Sequence, residues 1–491
     1  MTVQMGLDLG HELVVDLFAG GGGASAGIER GIGRAVDIAV NHDPEAVAMH
    51  QANHPQTEHF CESVFKVNPT RVTGNKPVGL LWASPDCTHH SKAKGGKPVS
   101  TKRRGLAWVV VKWARRTRPR VIMLENVEEF ADWGPLTPEG KPCEARKGQT
   151  FQQWKGQLER LGYQVEDKIL KACDYGAPTI RRRLFVIARR DGRKIVWPKA
   201  THGPADSLPV RGGKQKPYRA AAECIDWSQP CPSIFQRKRP LAENTMRRIA
   251  TGIQRFVLEA EDPFIVKTAD GMNAPHMIAI DHGSARSGCT WSIREPAATV
   301  TTENRHALVT AFLAKHYTGV IGTDLRKPIG TVTATDHHSV VAAHMINMKG
   351  TERRARSIRE PLSTVCAGTT HAGLVAAFMA PYYGSGSGET GRDLRDPAPT
   401  CTTKDRLQLV TVNIDGSTYV ITDIGMRMLQ PRELFLANGF PKDYVIDQGA
   451  EGKTLPKYAQ VRMCGNSVPP VWPRALVEAN FVHEKRAEVA V

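Results

Sequence analysis

The chain has 491 residues, enough for two or three domains that each bury a hydrophobic core. Its formal net charge of +17 and sequence pI of about 9.5 favour a polyanion as partner. The ten cysteines include no Cys-x-x-Cys pair, which argues against a zinc module or a disulfide framework, and no run has the length and apolarity of a membrane span. We therefore expect a reduced cytoplasmic protein without a metal or a membrane segment.

Residues 11 to about 190 alternate short apolar runs with helix-like segments, which predicts an α/β doubly wound sheet. A helix is expected to begin at Ala24, and the crossover helices are Gly105–Arg116 and Thr150–Leu161. Five runs have the character of buried parallel strands: Leu13–Phe18, Ile38–Val40, Leu80–Ala83, Val121–Leu124 and Leu184–Ala188. Because such sheets bind ligands at the carboxyl ends of their strands, we expect a site there.

After Trp197 the composition shifts to proline, glycine and polar residues, and a basic helical segment, Arg237–Phe256, leads into internal repeats. Each repeat has an aliphatic residue, Arg, any residue and Pro, followed by a Thr-rich triplet. The four copies begin at Ile293, Leu325, Ile358 and Leu394, with spacings of 32, 33 and 36 residues. Many β-branched residues and few helix formers indicate strand-and-turn units.

These changes predict four segments: an α/β domain at 1–195, a connector with the basic helix at 196–262, a mainly β repeat region at 263–423, and a return to the first domain at 424–491. That return contains a predicted helix at Pro431–Asn438. Three repeats continue into apolar strand-like runs: Leu308-Val309, Val340-Val341 and Leu374-Val375. The repeats form either a purely structural β array or a surface whose Arg and Thr side chains contact nucleic acid.

A glycine-rich turn follows the first predicted strand. Residues 18–23 read Phe-Ala-Gly-Gly-Gly-Gly, and the glycines allow a backbone to approach a bound cofactor closely. A dinucleotide site is the alternative interpretation. The strand ending at Val40 has no acidic residue at its tip, however, and this disfavours a nicotinamide cofactor.

Two residues with catalytic chemistry follow later strands. Cys87 comes after the apolar run 78–82, and Glu125 ends the next strand, before Asn126. No acidic residue lies between Asp86 and Glu125, whereas eleven Lys or Arg do, which is typical of a phosphate-contacting surface. The alternatives are a buried structural thiol for Cys87, a salt-bridge partner or helix cap for Glu125, and a solvated helix face for part of the basic run.

In this order the motifs resemble the DNA cytosine-5 methyltransferase family, of the phage and bacterial type with a long target-recognition insert. The matching motifs are the glycine turn, Ser84–Ser91, Arg104–Leu106, Glu125–Val127, Asp174–Pro178, Arg432–Pro441 and Gly465–Val468. The resemblance covers about residues 11–190 and 424–478. It implies an S-adenosylmethionine-dependent methyltransferase sheet, a target-recognition domain built from the repeats, and methylation of a flipped-out cytosine in double-stranded DNA.

The resemblance also implies roles for individual residues. Cys87 would add to carbon 6 of cytosine, protonated Glu125 would hydrogen-bond N3, and Arg181 or Arg183 would hold O2. The implied cofactor residues are Asp16, Phe18, Ala19, Gly20, Gly22, Gly23, Asn41, Glu62, Pro85, Asn466, Ser467 and Val468. The residues expected to contact DNA are Ser91, Lys102, Arg103 and Arg104, in a basic loop that would close over the extruded nucleotide.

Two positions depart from the family pattern. Asp86 stands where the family has Pro before the cysteine, and Thr179 stands where it has Gln. A carboxylate beside Cys87 opposes formation of the thiolate. A catalytically silent DNA-binding protein therefore remains as an alternative. An RNA cytosine-5 methyltransferase, which would share the fold and the chemistry, is a second alternative. We expect a monomer, and a cognate restriction endonuclease is compatible with the resemblance.

Overall fold

The computed structural model describes residues 12–86, 105–138, 142–235, 237–268, 271–279, 290–303, 305–316 and 417–482, and six further strands between 344 and 414. The chain forms two compact units. One comprises the chain as far as Ile225, the segment Ile293–Arg305 and the chain from Leu429 onward. The other comprises Asp226–Ser292 and His306–Met428.

A mixed seven-stranded sheet is the centre of the first unit. Its strands are β1 (Leu13–Leu17), β2 (Ile38–Asn41), β3 (Glu58–Cys61), β4 (Val78–Ala83), β5 (Val121–Asn126), β6 (Gln164–Lys171) and β7 (Arg182–Arg189). Their order across the sheet is β3-β2-β1-β4-β5-β7-β6. A separate two-stranded pair is formed by β8 (His202–Gly203) and β9 (Lys216–Pro217).

The α-helices among the described residues are, in chain order, α1 (Gly23–Ile32), α2 (Pro44–Asn53), α3 (Pro69–Val72), α4 (Trp108–Thr117), α5 (Gln149–Arg160), α6 (Leu208–Arg211), α7 (Glu243–Ile253), α8 (Pro431–Ala437), α9 (Lys457–Asn466) and α10 (Val471–Val477). All except α7 belong to the first unit. None of these helices is long and apolar enough to cross a membrane. The described part of the chain also holds no cluster of three or more side chains that would bind a metal.

Helices cover both faces of the central sheet, because its middle strands are apolar on both sides. Val15 packs on one face with Trp113 of α4 and Trp154 of α5. Val14, its neighbour along β1, packs on the other face with Ile28 of α1 and Trp472 of α10. This layering confirms the predicted doubly wound α/β class.

The prediction that Leu184–Ala188 is a parallel strand is wrong. These residues lie in β7, which runs antiparallel to both β5 and β6. The chain forms β6 first, parallel to β5, and then reverses direction to enter the gap between those two strands. The sequence pattern did not reveal β6 or β3, because both are edge strands with many polar residues, and almost none of their residues is fully buried.

The second unit is mainly β in its described part, as predicted. Its main sheet has the order β10-β11-β13-β20-β19, with β12 paired to β11, and all its pairings are antiparallel. The strands are β10 (Val266–Thr268), β11 (Gly271–Ala279), β12 (Thr290–Ser292), β13 (His306–His316), β14 (His344–Asn347), β15 (Ala355–Ser357), β16 (Ala372–Val375), β17 (Met379–Pro381), β18 (Leu407–Leu409), β19 (Thr411–Ile414) and β20 (Ser417–Met428). Strands β14 to β16 form one small sheet, and β17 and β18 form another. The basic helix predicted at 237–256 is α7, whose Ile249 and Ile253 share a core with Ala274 and Ile278 of β11.

The contacts divide the chain at other points than the predicted boundaries of 195, 262 and 423. The first repeat, which begins at Ile293, belongs to the first unit rather than to the repeat region. Backbone hydrogen bonds hold it there, since the Ala222 and Ile180 amides donate to the Ile293 and Ala297 carbonyls, both at 2.9 Å. The starts of the other three repeats lie outside the described residues. Of the apolar runs, 308–309 lies in β13, 374–375 lies in β16, and 340–341 lies outside the described residues.

Candidate active site

β1 ends in a tight turn that leads directly into α1. Three of its residues have positive φ: Phe18 at 64°, Gly20 at 55° and Gly22 at 91°. The amides of Phe18 and Ala19 donate to the Val40 carbonyl at 2.9 and 3.2 Å, which ties the turn to β2. A Cβ added at Gly20 would lie 3.8 Å from the nearest described atom. The absence of a side chain at this glycine therefore leaves space in which a ligand can approach the backbone closely.

Two other glycines of the turn make room for protein. A Cβ at Gly22 would clash with the Tyr444 hydroxyl and the His54 ring, and one at Gly23 would clash with the Val468 carbonyl. The sequence predicts that Gly22 makes room for a cofactor, whereas the structure fills that space with side chains. The close fit brings the C-terminal segment around Val468 onto the turn.

Asp16 lies fully buried in β1, just before the turn, at one end of a chain of polar side chains. The Ser25 hydroxyl donates to Asp16 Oδ2 at 2.7 Å, His50 Nε2 lies 3.0 Å from that hydroxyl, and His50 Nδ1 lies 2.7 Å from His59 Nε2. Asp16 Oδ1 has no hydrogen-bond partner within the described part of the chain. Burial raises the pKa of Asp16 from 3.8 to about 7. A cationic group from a ligand would satisfy this oxygen and favour its ionised form.

The ends of β2, β3 and α9 bring further polar groups to this edge. Glu62 is exposed, and its amide donates to the Asn41 carbonyl at 3.0 Å. Asn466 is exposed, whereas the Ser467 hydroxyl is used internally, donating to the Met463 carbonyl at 2.7 Å. The predicted cofactor residues with exposed surface are Phe18, Gly20, Asn41, Glu62 and Asn466. Those that are buried are Asp16, Ala19, Gly22, Gly23, Pro85, Ser467 and Val468.

Glu125 lies at the end of β5 and is buried. The Arg183 guanidinium contacts it, with Nε 3.1 Å from Oε1, and the Ser84 hydroxyl hydrogen-bonds it as well. Burial raises the pKa of Glu125 above its ordinary value, although the neighbouring Arg183 and Arg181 act to lower it. The net effect of these surroundings is a pKa above the ordinary value of a glutamate side chain.

Asn126 fixes the segment that leads to Cys87. Its side-chain amide donates to the Pro85 carbonyl at 3.2 Å, so the end of β5 holds the chain that leaves β4. Asn126 was not predicted as a site residue, although the Glu-Asn-Val triplet contained the signal. Asp86 is exposed and is the last described residue of this segment. The predicted nucleophile and DNA-contacting residues, Cys87, Ser91, Lys102, Arg103 and Arg104, lie outside the described residues.

The two arginines expected to bind O2 lie in different surroundings. Arg181 is only 2% exposed, and its Nη1 donates to the Val300 and Gly465 carbonyls at 3.1 and 2.9 Å. It thereby joins the first repeat and the C-terminal segment to the strand that carries it. Arg183 has a side chain that is 16% exposed and lies against Glu125. The Arg183 guanidinium therefore directly contacts the buried carboxyl.

Comparison with known proteins agrees with this arrangement of motifs. The family model described as C-5 cytosine-specific DNA methylase matches residues 13–219 and 332–481, well over half of the chain. The type II methyltransferase M.AquIA of Picosynechococcus sp. is 27% identical over 231 residues, which is 44% of this chain and 89% of that protein. The type II methyltransferase M.SacI of Streptomyces achromogenes is 30% identical over 248 residues, which is 44% of this chain but only 58% of that protein. The chain belongs to the C-5 cytosine-specific DNA methylase family.

Proposed function

We propose that this protein transfers a methyl group from S-adenosylmethionine to carbon 5 of cytosine in double-stranded DNA, with Cys87 as the covalent nucleophile. The observation that carries the proposal is the buried Glu125 in contact with Arg183, 3.1 Å apart. Asn126, the next residue, holds the segment that leads to Cys87. A carboxyl whose pKa is raised by burial, beside a guanidinium, suits the N3 and O2 edge of a cytosine ring.

S-adenosylmethionine fits the residues around the glycine turn. Its cationic groups suit the unpaired Asp16 Oδ1, and its ribose hydroxyls suit the exposed Glu62 carboxylate. Gly20 offers open space for close approach, and Asn466 adds an exposed amide at the same edge. When bound, the cofactor would supply an electrophilic methyl group.

The chain's own residues would activate the base. Carbon 5 of cytosine is a poor nucleophile, so the Cys87 thiolate adds to carbon 6, forming a carbon–sulfur bond and moving electron density toward carbon 5. Glu125 donates its proton to N3, and Arg183 donates hydrogen bonds to O2, so the charge that builds on the ring is stabilised. After methylation, carbon 5 loses its proton to solvent and the carbon–sulfur bond breaks, which releases the Cys87 thiolate. N3 returns its proton to Glu125, which restores the ring and the carboxyl.

The excess of positive charge supports nucleic acid as the substrate. We propose that Ser91, Lys102, Arg103 and Arg104 contact the DNA backbone around the flipped-out base, and that the repeat region at 263–423 selects the target. Phosphate contacts carry no sequence information, so changes in the basic loop should weaken all DNA binding alike. We therefore assign the contacts with base edges to the repeat region. Exchanging this region for that of another enzyme should change which DNA sequence is methylated.

Transfer of tritiated methyl groups from the cofactor to duplex DNA and to RNA tests the proposal. We expect labelled DNA, unlabelled RNA, and loss of labelling in a Cys87→Ser variant that still binds both substrates. Labelling of RNA alone would overturn the assignment of the substrate, and binding of DNA without any labelling would support the catalytically silent alternative. Bisulfite sequencing of DNA from an expressing host would then identify the methylated sequence.

A further inference from the structure

The glycine turn is held by a chain of three side chains that the proposed reaction does not use. The Tyr444 hydroxyl donates to the Gly21 carbonyl at 2.7 Å. His54 Nε2 lies 3.1 Å from the Tyr444 oxygen, and His54 Nδ1 lies 2.9 Å from Glu29 Oε2. Glu29 belongs to α1, His54 follows α2, and Tyr444 follows α8. Three separate elements therefore converge on one carbonyl of the turn.

The single hydroxyl proton of Tyr444 sets the direction of these hydrogen bonds. The phenol of Tyr444 has one proton, and it goes to the Gly21 carbonyl. The Tyr444 oxygen can then accept from His54 Nε2, and His54 Nδ1 lies within hydrogen-bond distance of Glu29 Oε2. The hydrogen bonds therefore link Glu29 through His54 and Tyr444 to the glycine turn.

The tyrosine is itself held firmly in place. The Asn53 side-chain amide donates to the Val445 carbonyl at 2.8 Å, and the Val445 amide donates back to Asn53 Oδ1 at 2.8 Å. This reciprocal pair fixes the residue next to Tyr444 against the end of α2. The ring of Tyr444 also packs against those of Phe435 and Phe440. The hydroxyl is therefore presented to the turn by a rigid support.

The turn needs such support because its backbone is strained. Phe18 has a φ of 64°, a left-handed conformation that costs free energy for a residue with a side chain. Gly22, at 91°, has its Cβ direction filled by Tyr444 and His54. A strained conformation persists only when its surroundings hold it, and Tyr444 holds the peptide that joins Gly21 to Gly22.

We propose that Tyr444, held by His54 and Glu29, is a positioning residue for the cofactor, because it keeps the glycine turn in its binding conformation before S-adenosylmethionine arrives. The inference rests on the proposed function. Without the hydroxyl, the peptide after Gly21 samples other orientations, and binding must select the competent one. Apparent affinity falls in proportion to the fraction of molecules that have the competent turn.

Calorimetry with the full-length protein and S-adenosylmethionine tests this role. We expect Tyr444→Phe to raise the dissociation constant for the cofactor about tenfold and the KM for it by a similar factor, with kcat at saturating cofactor and affinity for DNA unchanged. Tyr458→Phe is the matched control, because it removes a hydroxyl that bonds Glu45 at 3.2 Å on the surface. That variant should bind the cofactor as the parent protein does.

A pair of changes at His54 sharpens the test. His54→Leu removes the donor to the Tyr444 oxygen and should weaken cofactor binding, whereas His54→Gln keeps one donor and should recover most of the affinity. If the parent binds the cofactor and Tyr444→Phe binds it equally well, the positioning role is wrong while the proposed function stands. A Tyr444→Phe variant that loses thermal stability and kcat but keeps its KM has lost a structural contact, which also overturns the role. A parent that binds no S-adenosylmethionine overturns both proposals.

Discussion

Asp16 and Glu125 are both buried carboxyls at the penultimate positions of strands in one sheet, yet their neighbours differ. Glu125 lies against Arg183, and the cation partly offsets the effect of burial. Asp16 accepts a hydrogen bond from the Ser25 hydroxyl, and nearby Glu29 raises the pKa of Asp16 further. Burial raises the pKa of both carboxyls.

The two sites differ in how the protein accommodates a buried carboxyl group. At Glu125 the chain supplies its own cation, Arg183, which limits how far burial raises the pKa of the carboxyl. At Asp16 the chain supplies no cation in the described residues, and either a proton or a cationic ligand must compensate the charge. The region around Glu125 is therefore suited to catalysis, and the region around Asp16 to binding.

Among substitutions that test this difference between the two carboxyls, we expect the largest effect at Glu125. Glu125→Gln removes the acidic proton and keeps the shape, so kcat should fall about 10²- to 10³-fold while the affinity for S-adenosylmethionine stays the same. Glu128→Gln is the matched control, since Glu128 pairs with Arg182 at 3.0 Å nearby on the surface. Single-turnover methylation measures both. A Glu125→Gln variant within about threefold of the parent would rule out a proton-donating role.

Asp16→Asn should reveal the free energy spent on burying that carboxyl. The folded pKa of about 7 lies above the ordinary 3.8, so the group's contribution to stability is full below about pH 4 and is lost as pH rises through 7. The unfolding free energy of the variant, relative to that of the parent, should therefore rise by up to about 4 kcal/mol between pH 4 and 7. Above pH 7 this difference should stay constant. Urea unfolding across this pH range measures the difference, with Asp443→Asn as an exposed control. A difference that does not change with pH would contradict the burial of an uncompensated acid.

Substitution of Arg181 or Arg183 by lysine, which lacks the planar guanidinium group, should affect different properties of the protein. Arg183→Lys should lower kcat about tenfold with little change in unfolding free energy. Arg181→Lys should instead cost about 1–3 kcal/mol of stability, because two buried carbonyls lose their donor. Thermal unfolding and steady-state kinetics on the same preparations distinguish them. The opposite pattern would make Arg181 the arginine that faces the base.

The smallest expected effect concerns Gly20 in the open part of the turn. Gly20→Ala should cost about 1 kcal/mol of stability because of its positive φ, and it should also weaken cofactor binding because its methyl group would occupy the open space. Gly33→Ala is the control, with φ of 74° and no described atom within 4 Å of the added carbon. Both variants should lose similar stability, and calorimetry should show weaker binding in the first alone.

Local sequence was informative wherever one segment determined the outcome. The apolar runs predicted β1, β4 and β5, because strands buried on both faces need little else to identify them. Glu125 was predicted as a site residue because of the Asn-Val pair that follows it. The polar edge strands β3 and β6 were missed, since their place depends on which neighbours they pair with.

Distinctions that depend on distant segments could not be read from the sequence. Arg181 and Arg183 look equivalent in the run Arg-Arg-Arg. They are distinguished by their contacts, of Arg181 with Val300 and Gly465 and of Arg183 with Glu125. The first repeat resembles the other three, yet backbone pairing with residues 178–180 and 221–222 assigns it to the first unit. Gly22 is required by Tyr444, a residue more than four hundred positions away in the chain.

Covalent trapping tests the central claim most directly, because fluorine at carbon 5 prevents the release of the base from Cys87. The protein should form a denaturant-stable complex with 5-fluorocytosine duplex DNA in the presence of S-adenosylmethionine, and Cys87→Ser should form none while still binding DNA. An undiminished complex in the Cys87→Ser variant, or active parent protein that forms no complex, would contradict the account.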